Sequence, residues 1–445
     1  MLSQLETGAR RIMAGIYCRK GCWCLVMTMA TISITKINIQ HVEAGWTETA
    51  KLVADDTLPN SWAGWGGKGV DISGDIAIVG AAQPNGVGVG EAYLYQGSGS
   101  TWNQIAELKA NDGVMGDKFG NAVAISGNLA VITASSENSN RGAAYVFEYT
   151  NSIWQQVAKL TADDRAAGDF FGSDVAIYGN RIVVGTPDDK DQGHFTGAAY
   201  IFENDGSGWG QSAKLIASDQ AIYDGFGAAV SIYEDSVLVG AVDEGNREGA
   251  VYVFENTGLG WQEVDKWASS DGFGDQGGFG GSLELEGNRA VVGRARSDDD
   301  GSSSGSAYVF EKTQSGWDET AKLVANDAAD GDQFGISVGI DSDTIVVGSY
   351  LNDEINLKAG AAYVFENDGA SWREVDKLAI PTGEASDLFG YSVAIDAGSL
   401  ISSSMGDDQA GTRAGAAYVY AQVPEPGALL WGVVGALMLM VKRRR

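Results

Sequence analysis

The chain has 445 residues and carries 30 basic against 59 acidic side chains, which gives a formal net charge of −29. A surface of that sign repels phosphates, so we expect no nucleic acid partner and no attraction to anionic lipid. The three cysteines lie within the first 24 residues, and only one histidine, His194, follows residue 44. The rest of the chain therefore has no disulfide or thiolate metal site, and few ways to build a zinc site or a Ser-His-Asp triad.

Residues 1–44 do not share the pattern of the rest of the chain and are predicted to form a leader. Arg19 and Lys20 precede a mostly apolar stretch from 22 to 34, which is the order of charge and apolar core in secretory signal peptides. Cleavage after Val42-Glu43-Ala44 would leave Gly45 as the first mature residue. The alternative is a membrane anchor that stays attached.

A phrase of 52 to 56 residues is then repeated seven times. Each copy runs from a tryptophan and a Lys-Leu pair, or a close variant, through Phe-Gly and Val-Gly phrases to Ala-Tyr-Val-Phe. The tryptophans are Trp46, Trp102, Trp154, Trp209, Trp261, Trp317 and Trp372. The tyrosines are Tyr93, Tyr145, Tyr200, Tyr252, Tyr308, Tyr363 and Tyr418. Such a period with strand-type residues predicts an array of propeller blades over residues 45–422 rather than several unrelated domains.

One repeat shows how a blade is built. Strands are predicted over 174–177, 181–185, 198–202 and 209–215, with Gly179-Asn180 as a two-residue hairpin turn between the first two. The strands are apolar almost throughout, as expected when both faces of a sheet are packed. The sequence therefore predicts an all-β fold, a seven-bladed β-propeller of four-stranded antiparallel blades.

The phase of the repeat predicts how the ring closes. The repeat region begins with a fourth-strand phrase, from Trp46 to Leu52, and ends with a third-strand phrase, from Ala416 to Tyr420. The seventh blade thus lacks its outer strand, and the start of the chain can supply it. We expect residues 45–53 to pair beside 415–421, which would hide strand edges that otherwise invite aggregation.

These phrases resemble the FG-GAP repeat of the integrin α-subunit propeller and of many bacterial surface proteins. Phe-Gly stands at Phe119-Gly120, Phe171-Gly172, Phe226-Gly227, Phe279-Gly280, Phe334-Gly335 and Phe389-Gly390. The resemblance implies a propeller but no particular activity. In the integrin relatives calcium sits in the hairpins between strands 1 and 2. Here those hairpins are two-residue turns such as Gly127-Asn128 and Gly287-Asn288, so the metal sites of the family do not carry over.

The acidic residues gather in the loops between strands 2 and 3 and in the connections between blades. An antiparallel meander places both on one face of the ring, where we expect any binding. One aspartate follows the fourth strand, as Asp56, Asp112, Asp164, Asp219, Asp271 and Asp327. A second precedes Phe-Gly by two residues, as Asp117, Asp169, Asp224, Asp332 and Asp387. Short acids of this kind fix turns, and calcium bridging is the alternative.

Two loops come nearest to a calcium site, because calcium takes six to eight oxygens that often stand on alternate residues of one loop. The candidate ligands are Asp188, Asp189 and Asp191 in the third repeat and Asp298 and Asp300 in the fifth. Neither loop completes the Asp-x-Asp-x-Asp-Gly pattern. Calcium is thus the one cofactor that the sequence suggests, and no catalytic constellation is visible.

The last 23 residues have three parts. Val423-Pro424-Glu425-Pro426 is followed by an apolar run over 427–441 and then by Lys442 and three arginines. This order resembles the PEP-CTERM sorting signal of Gram-negative, often biofilm-forming bacteria. The resemblance implies that Pro424, Glu425 and Pro426 are recognised by an exosortase and that the apolar run enters the membrane transiently before the protein leaves the cell. The alternative is a plain membrane anchor.

Together these features favour an exported protein of the cell surface or extracellular matrix that binds a polysaccharide or a protein without catalysis. One alternative is a propeller enzyme such as a glycan hydrolase or lyase, and another is a structural surface protein stabilised by calcium. The propeller axis distinguishes the first two. Asymmetric buried polar groups from several blades would favour an enzyme, and a symmetric shallow mouth would favour a binding module.

Overall fold

A computed structural model describes residues 45–423, apart from 57–60, 62, 65–67, 84–87, 99, 192–193 and 272–276. This region contains seven four-stranded antiparallel sheets, each of which is one propeller blade. The predicted all-β, seven-bladed fold is confirmed. The predicted leader and the tail from Pro424 onward lie outside the described residues. Within the described part of the chain, no helix has the length and apolar composition needed to cross a membrane.

The strands follow the blades in chain order. The chain enters with β1 (Gly45–Leu52), and two short helical turns, α1 (Glu137–Asn140) and α2 (Glu244–Arg247), lie in loops of blades 2 and 4. Blade 1 contains β2 (Val70–Ser73), β3 (Ile76–Ala81), β4 (Glu91–Ser98) and β5 (Thr101–Leu108). Blade 2 contains β6 (Phe119–Ser126), β7 (Leu129–Ala134), β8 (Ala143–Thr150) and β9 (Ile153–Leu160). Blade 3 contains β10 (Val175–Tyr178), β11 (Arg181–Thr186), β14 (Ala198–Asn204) and β15 (Trp209–Leu215), with the small pair β12 (Lys190–Asp191) and β13 (His194–Phe195) in its loop.

The remaining blades repeat this order. Blade 4 contains β16 (Phe226–Tyr233), β17 (Ser236–Ala241), β18 (Ala250–Asn256) and β19 (Trp261–Trp267). Blade 5 contains β20 (Ser282–Glu286), β21 (Arg289–Arg294), β22 (Ser306–Thr313) and β23 (Gly316–Leu323). Blade 6 contains β24 (Ser337–Asp341), β25 (Thr344–Ser349), β26 (Ala361–Asn367) and β27 (Trp372–Leu378), and blade 7 contains β28 (Phe389–Asp396), β29 (Ser399–Ser404) and β30 (Ala416–Val423).

Burial along each strand follows from its place in the blade. The second strands are buried from their second residue onward, as in β11, because neighbouring blades cover both faces. The fourth strands instead alternate between exposed and half-buried residues, as in β15, because they form the outer edge. Each outer strand also contains a register irregularity against its partner. Irregular outer strands pair poorly with other chains.

The Phe-Gly phenylalanines form the repeating core contact. Phe171 is fully buried and its ring centre lies 5.7 Å from that of Tyr200 and 5.9 Å from that of Phe202. The other described blades with Phe-Gly repeat this contact, with the phenylalanine and tyrosine rings edge-on. Such aromatic pairs stabilise beyond their buried area. The phenylalanine and tyrosine of the repeat therefore serve packing within and between blades.

The first strand closes the ring as the phase of the repeat predicts. β1 pairs antiparallel with β30, from Gly45 opposite Val423 to Leu52 opposite Ala417. The seventh sheet thus has the order β1-β30-β29-β28 and combines both ends of the repeat region. The backbone N–H of Trp46 also donates to Asp376 of blade 6 at 2.7 Å.

Candidate functional site

One face of the propeller is formed by the connections between blades and by the loops between the second and third strands; we call it the loop face. Isolated backbone bridges join these two kinds of segment in adjacent blades. Gly142 of blade 2 bridges Phe171 of blade 3, and Gly197 of blade 3 bridges Phe226 of blade 4. The loop face is therefore tied together around the ring.

The aspartates that precede Phe-Gly hold the connections between blades. Asp117 accepts a hydrogen bond from the backbone N–H of Val114 at 2.8 Å, and Asp224 accepts one from Ala221 at 2.7 Å. Asp169, Asp332 and Asp387 each accept the equivalent hydrogen bond from the backbone N–H of the residue three positions upstream. All five side chains are buried. Their role in this structure is to fix turns.

The aspartates that follow the fourth strands belong to a different arrangement, the Tyr–Asp–Lys cluster. Asp164 accepts hydrogen bonds from Tyr200 Oη and Lys214 Nζ, both at 2.8 Å. The equivalent trios are Tyr252, Asp219 and Lys266; Tyr308, Asp271 and Lys322; and Tyr363, Asp327 and Lys377. In blades 2 to 6 the lysine also pairs with an acid of the loop after the second strand, namely Glu137, Asp189, Glu244, Asp299 or Glu354. A lysine ammonium thus provides the cation for these acids.

The Tyr–Asp–Lys cluster favours the ionised aspartate. Burial opposes ionisation of Asp271, but hydrogen bonds from Lys322 and Tyr308 outweigh it and lower the pKa of Asp271 to about 2. The same balance lowers the pKa of Asp164, Asp219 and Asp327. These four carboxylates remain charged well below neutral pH.

Blade 1 departs from this arrangement because Glu107 stands where the other blades carry the lysine. Ligand atoms of Asp56, Glu91 and Glu107 all lie within 4.8 Å of one another, so that the three carboxylates could hold a metal ion. Lys109 already pairs with Glu91 at 3.0 Å and with Glu107. Tyr93 donates to Glu91 at 2.5 Å. Part of the negative charge is therefore balanced within the protein.

Charged side chains from three separate blades meet at the propeller axis. Lys68 of blade 1 forms an ion pair with Glu284 of blade 5, with 3.1 Å between Nζ and Oε2. Asp174 of blade 3 lines the same cavity, which has a volume of about 60 Å³ and is also lined by Ser392. A water molecule occupies about 30 Å³ of liquid, and ligand pockets have roughly 300–1,000 Å³. This cavity is too small for a sugar ring.

Several axial side chains also join neighbouring blades. Asp71 accepts a hydrogen bond from the backbone N–H of Ile125 in blade 2 at 2.9 Å. Asp174 accepts one from Val230 in blade 4 at 2.8 Å. Each carboxylate thus satisfies a backbone donor of the next blade, which is a structural role.

The axis shifts the proton affinity of its charged groups. Burial raises the pKa of Asp71 and of Asp174 to about 6 each, although Lys68 favours their ionised forms. For Lys68, burial opposes the charge, but Asp71, Glu284 and Asp174 together raise its pKa above the ordinary value. The side chain of Lys68 exposes 17% of its surface and lines the axial cavity, so the ammonium keeps some contact with solvent.

A comparison with protein families matches the FG-GAP repeat along seven stretches. The matched residues are 46–95, 102–147, 154–202, 209–254, 261–310, 317–365 and 372–420. The chain belongs to the FG-GAP repeat family. Each matched stretch begins at one of the repeated tryptophans and therefore starts with the fourth strand of the preceding blade. A search of curated proteins finds no match.

The FG-GAP propeller separates the two loops predicted to bind calcium. Asp189 accepts hydrogen bonds from Tyr200 at 2.7 Å and Lys214 at 2.9 Å, whereas Asp188 is half-buried. Asp298 accepts a bond from the backbone N–H of Ser303 at 2.7 Å. The backbone N–H of Asp300 donates to Ser304 Oγ at 3.1 Å. Asp191 and His194 lie in the small strand pair of blade 3, and their side chains are outside the described part of the structure. Calcium binding at these residues stays a prediction.

A polar groove of about 450 Å³ lies between blades 5 and 6 of the FG-GAP propeller. Its wall contains Arg289, whose guanidinium carbon lies 5.7 Å from the centre of the Trp372 ring. Arg289 also pairs with Glu311 at 2.9 Å and with Asp343 at 2.6 Å. Arg289 therefore pairs with an acid of its own blade and with one of blade 6, and so joins the two blades.

Sequence reasoning missed both the Tyr–Asp–Lys cluster and the axial charges. The Tyr–Asp–Lys cluster could have been recognised in the sequence, because its lysine, tyrosine and aspartate recur with the same period. The axial charges could have been recognised as departures from the repeat, since most blades carry alanine or glycine where Asp71 and Glu284 stand. Pro424, Glu425 and Pro426 of the predicted sorting motif lie outside the described residues.

Proposed function

We propose that the protein is exported and acts at the cell surface or in the extracellular matrix as a non-enzymatic module that binds a polysaccharide or a protein. The observation that carries this proposal is the ring of seven FG-GAP blades closed by β1 and β30. Such a ring holds a set of variable loops on a rigid frame, and binding residues concentrate on loops of that kind. The net charge of −29 favours neutral or basic partners over anionic ones.

Export is supported by sequence at both ends of the chain. The leader over 1–44 has the layout of a signal peptide, and the tail places Pro424, Glu425 and Pro426 before an apolar run over 427–441. In the proposal an exosortase-type enzyme of a Gram-negative-type bacterium recognises the three-residue motif while the apolar run is in the membrane. Processing then releases the propeller to the surface or matrix.

Cell fractionation tests the export proposal. We expect the wild type on the cell surface or in the medium, and a variant with Pro424, Glu425 and Pro426 replaced by alanine in the membrane fraction as a longer species. A variant with Val423→Ala alone, outside the three-residue motif, serves as the control and should fractionate as the wild type does. Identical distributions of the wild type and the triple variant would rule out sorting through this motif.

A glycan hydrolase or lyase is the second candidate, because the axis carries asymmetric charged groups from blades 1, 3 and 5, of which Asp174 is buried. Glycosidases use pairs of carboxyl groups, and a raised pKa suits a general acid. Against this stand the 60 Å³ volume of the cavity and the hydrogen bonds of Asp71 and Asp174 to neighbouring blades. We expect no new reducing ends or unsaturated products from cellohexaose or alginate. Product release that Glu284→Gln abolishes would establish the enzyme instead.

A further inference from the structure

The loop face carries one added element, the β12–β13 pair of blade 3. In the described part of the chain, no other loop between a second and a third strand contains a pair of strands. The pair is fixed on both sides. Lys190 donates to the carbonyl of Ala167 at 2.8 Å in the connection before blade 3, and the backbone N–H of Tyr223 donates to the carbonyl of Phe195 at 2.6 Å in the connection after it.

Tyr223 has a backbone conformation that its side chain disfavours. Its φ is +70°, in the left-handed region that glycine adopts most readily. Three other connections place glycine at the same position, Gly116, Gly168 and Gly331, with φ between +83° and +93°. Burial of the ring does not offset this strain, because 67% of Tyr223 is exposed to solvent. An exposed aromatic residue in a strained conformation points to a role in binding.

The exposed ring is held in place by its neighbours. The Tyr223 ring stacks on Phe195, with centres 5.6 Å apart and planes inclined by 18°. The Lys190 ammonium lies 4.8 Å from the centre of the Phe195 ring. Ile222, next to Tyr223, is 50% exposed. We call Phe195, Ile222 and Tyr223 the Tyr223 platform, an apolar surface whose exposed aromatic ring is held by stacking.

We propose that the Tyr223 platform binds a neutral glycan chain of β-linked pyranoses in the gluco configuration. This inference rests on the proposed function and names its partner class. In such a sugar the hydroxyls are equatorial, so that the ring faces present C–H bonds that pack against an aromatic ring. The hydroxyls at the ring edge remain free for hydrogen bonds with polar side chains beside the platform.

Charge and size favour this partner over others. The acidic surface repels anionic polysaccharides. The platform exposes only two large apolar side chains, Ile222 and Tyr223, whereas a stable protein interface buries about 800 Å² on each partner. Asp188, which interacts electrostatically with Lys190, accepts no hydrogen bond from the described residues and can serve as an acceptor for a sugar hydroxyl.

Calorimetric titration of the full-length protein with cellohexaose and with chitohexaose tests the inference. We expect saturable binding of at least one of them by the wild type, and a Kd at least about tenfold higher for Tyr223→Gly, because ring stacking is lost. Since three other connections hold glycine at this position, Tyr223→Gly should melt within about 3 °C of the wild type. Tyr223→Phe keeps the ring and should bind within about threefold of the wild type.

Tyr149→Ala is the matched control, because Tyr149 is 44% exposed and its ring lies 5.4 Å from that of Trp154 in blade 2, away from the platform. It should bind as the wild type does. Binding of neither oligosaccharide by the wild type would overturn the inference, as would equal binding by Tyr223→Gly. An exported protein that binds alginate or a protein instead would overturn the inference and leave the proposed function standing.

Discussion

The fourth strand of blade 1 carries Glu107 at a position where the six other blades carry lysine. Those lysines are Lys51, Lys159, Lys214, Lys266, Lys322 and Lys377. In blades 2 to 6 the ammonium lies between an aspartate and a second acid, whereas in blade 1 a third carboxylate takes its place. A single side chain thus replaces the cation of the cluster with a third anion, which makes the blade 1 cluster more negative than its counterparts.

We expect Glu107→Lys to stabilise the protein, because the new ammonium would face Asp56 and Glu91. Exposed ion pairs are worth about 0–1 kcal/mol, so the free energy of unfolding should rise by about 0.5–1 kcal/mol. Denaturant unfolding measures this change. Glu107→Gln removes the charge without supplying a cation and should give a smaller gain. A lower stability for Glu107→Lys would contradict the electrostatic reading of blade 1.

Asp174 at the axis gives the protein a pH-dependent stability term. Its pKa is about 6 in the folded state, whereas an aspartate ordinarily has a pKa of 3.8, so between these pH values the folded protein holds a proton that the unfolded chain has lost. This contribution is present at low pH and is lost as the pH rises through 6. The wild type should therefore gain about 1 kcal/mol relative to Asp174→Asn between pH 7.5 and pH 5. Unfolding at both pH values measures this difference; a constant difference would contradict the shifted pKa.

Close contacts between the backbones of adjacent blades explain the glycines of the Val-Gly phrases. In the Val-Gly phrase of the second strand, a Cβ on Gly240 would lie 2.0 Å from the carbonyl oxygen of Gly280 in the next blade. Gly185, Gly293 and Gly348 are equally close to the next blade. Blades 2 and 7 carry Thr133 and Ser403 instead, whose hydroxyls accept hydrogen bonds from the first strand of their own blade. Adjacent blades therefore approach through backbone at most of these positions.

We expect Gly240→Ala to destabilise the protein by about 1–3 kcal/mol, because the added methyl group overpacks the contact between blades 4 and 5. Gly210→Ala is the control, since no atom lies within 4 Å of its added Cβ and its φ is ordinary. That change should stay within about 0.5 kcal/mol. Chemical denaturation compares the two variants, and equal effects would show that blade contact does not explain the Val-Gly glycine.

Elements of a single blade could be predicted from the sequence because their signals are local. The predicted strand over 209–215 has the bounds of β15, and the strand over 174–177 differs from β10 by one residue at each end. The Tyr–Asp–Lys cluster could not be derived in this way, because Asp164 and Lys214 are 50 residues apart and meet only through blade packing. The axial charges required the ring itself, since Lys68 and Glu284 belong to blades 1 and 5.

At the scale of the whole molecule, β1 joins the two ends of the repeat region in a single sheet. β1 supplies the outer strand of blade 7, and the backbone N–H of Trp46 donates to Asp376 in blade 6. Without β1, the edge of β30 and the apolar side chains around Tyr418 and Tyr420 would be exposed to solvent.

The melting temperature of the full chain lacking residues 45–53 tests ring closure most directly. We expect the melting temperature to fall by more than about 5 °C, because an entire strand and its buried side chains are removed from the seventh blade. Thr47→Ala, an exposed substitution within the same strand, is the control and should leave the melting temperature within about 1 °C of the wild type. An unchanged melting temperature for the deletion would contradict closure of the propeller by its first strand.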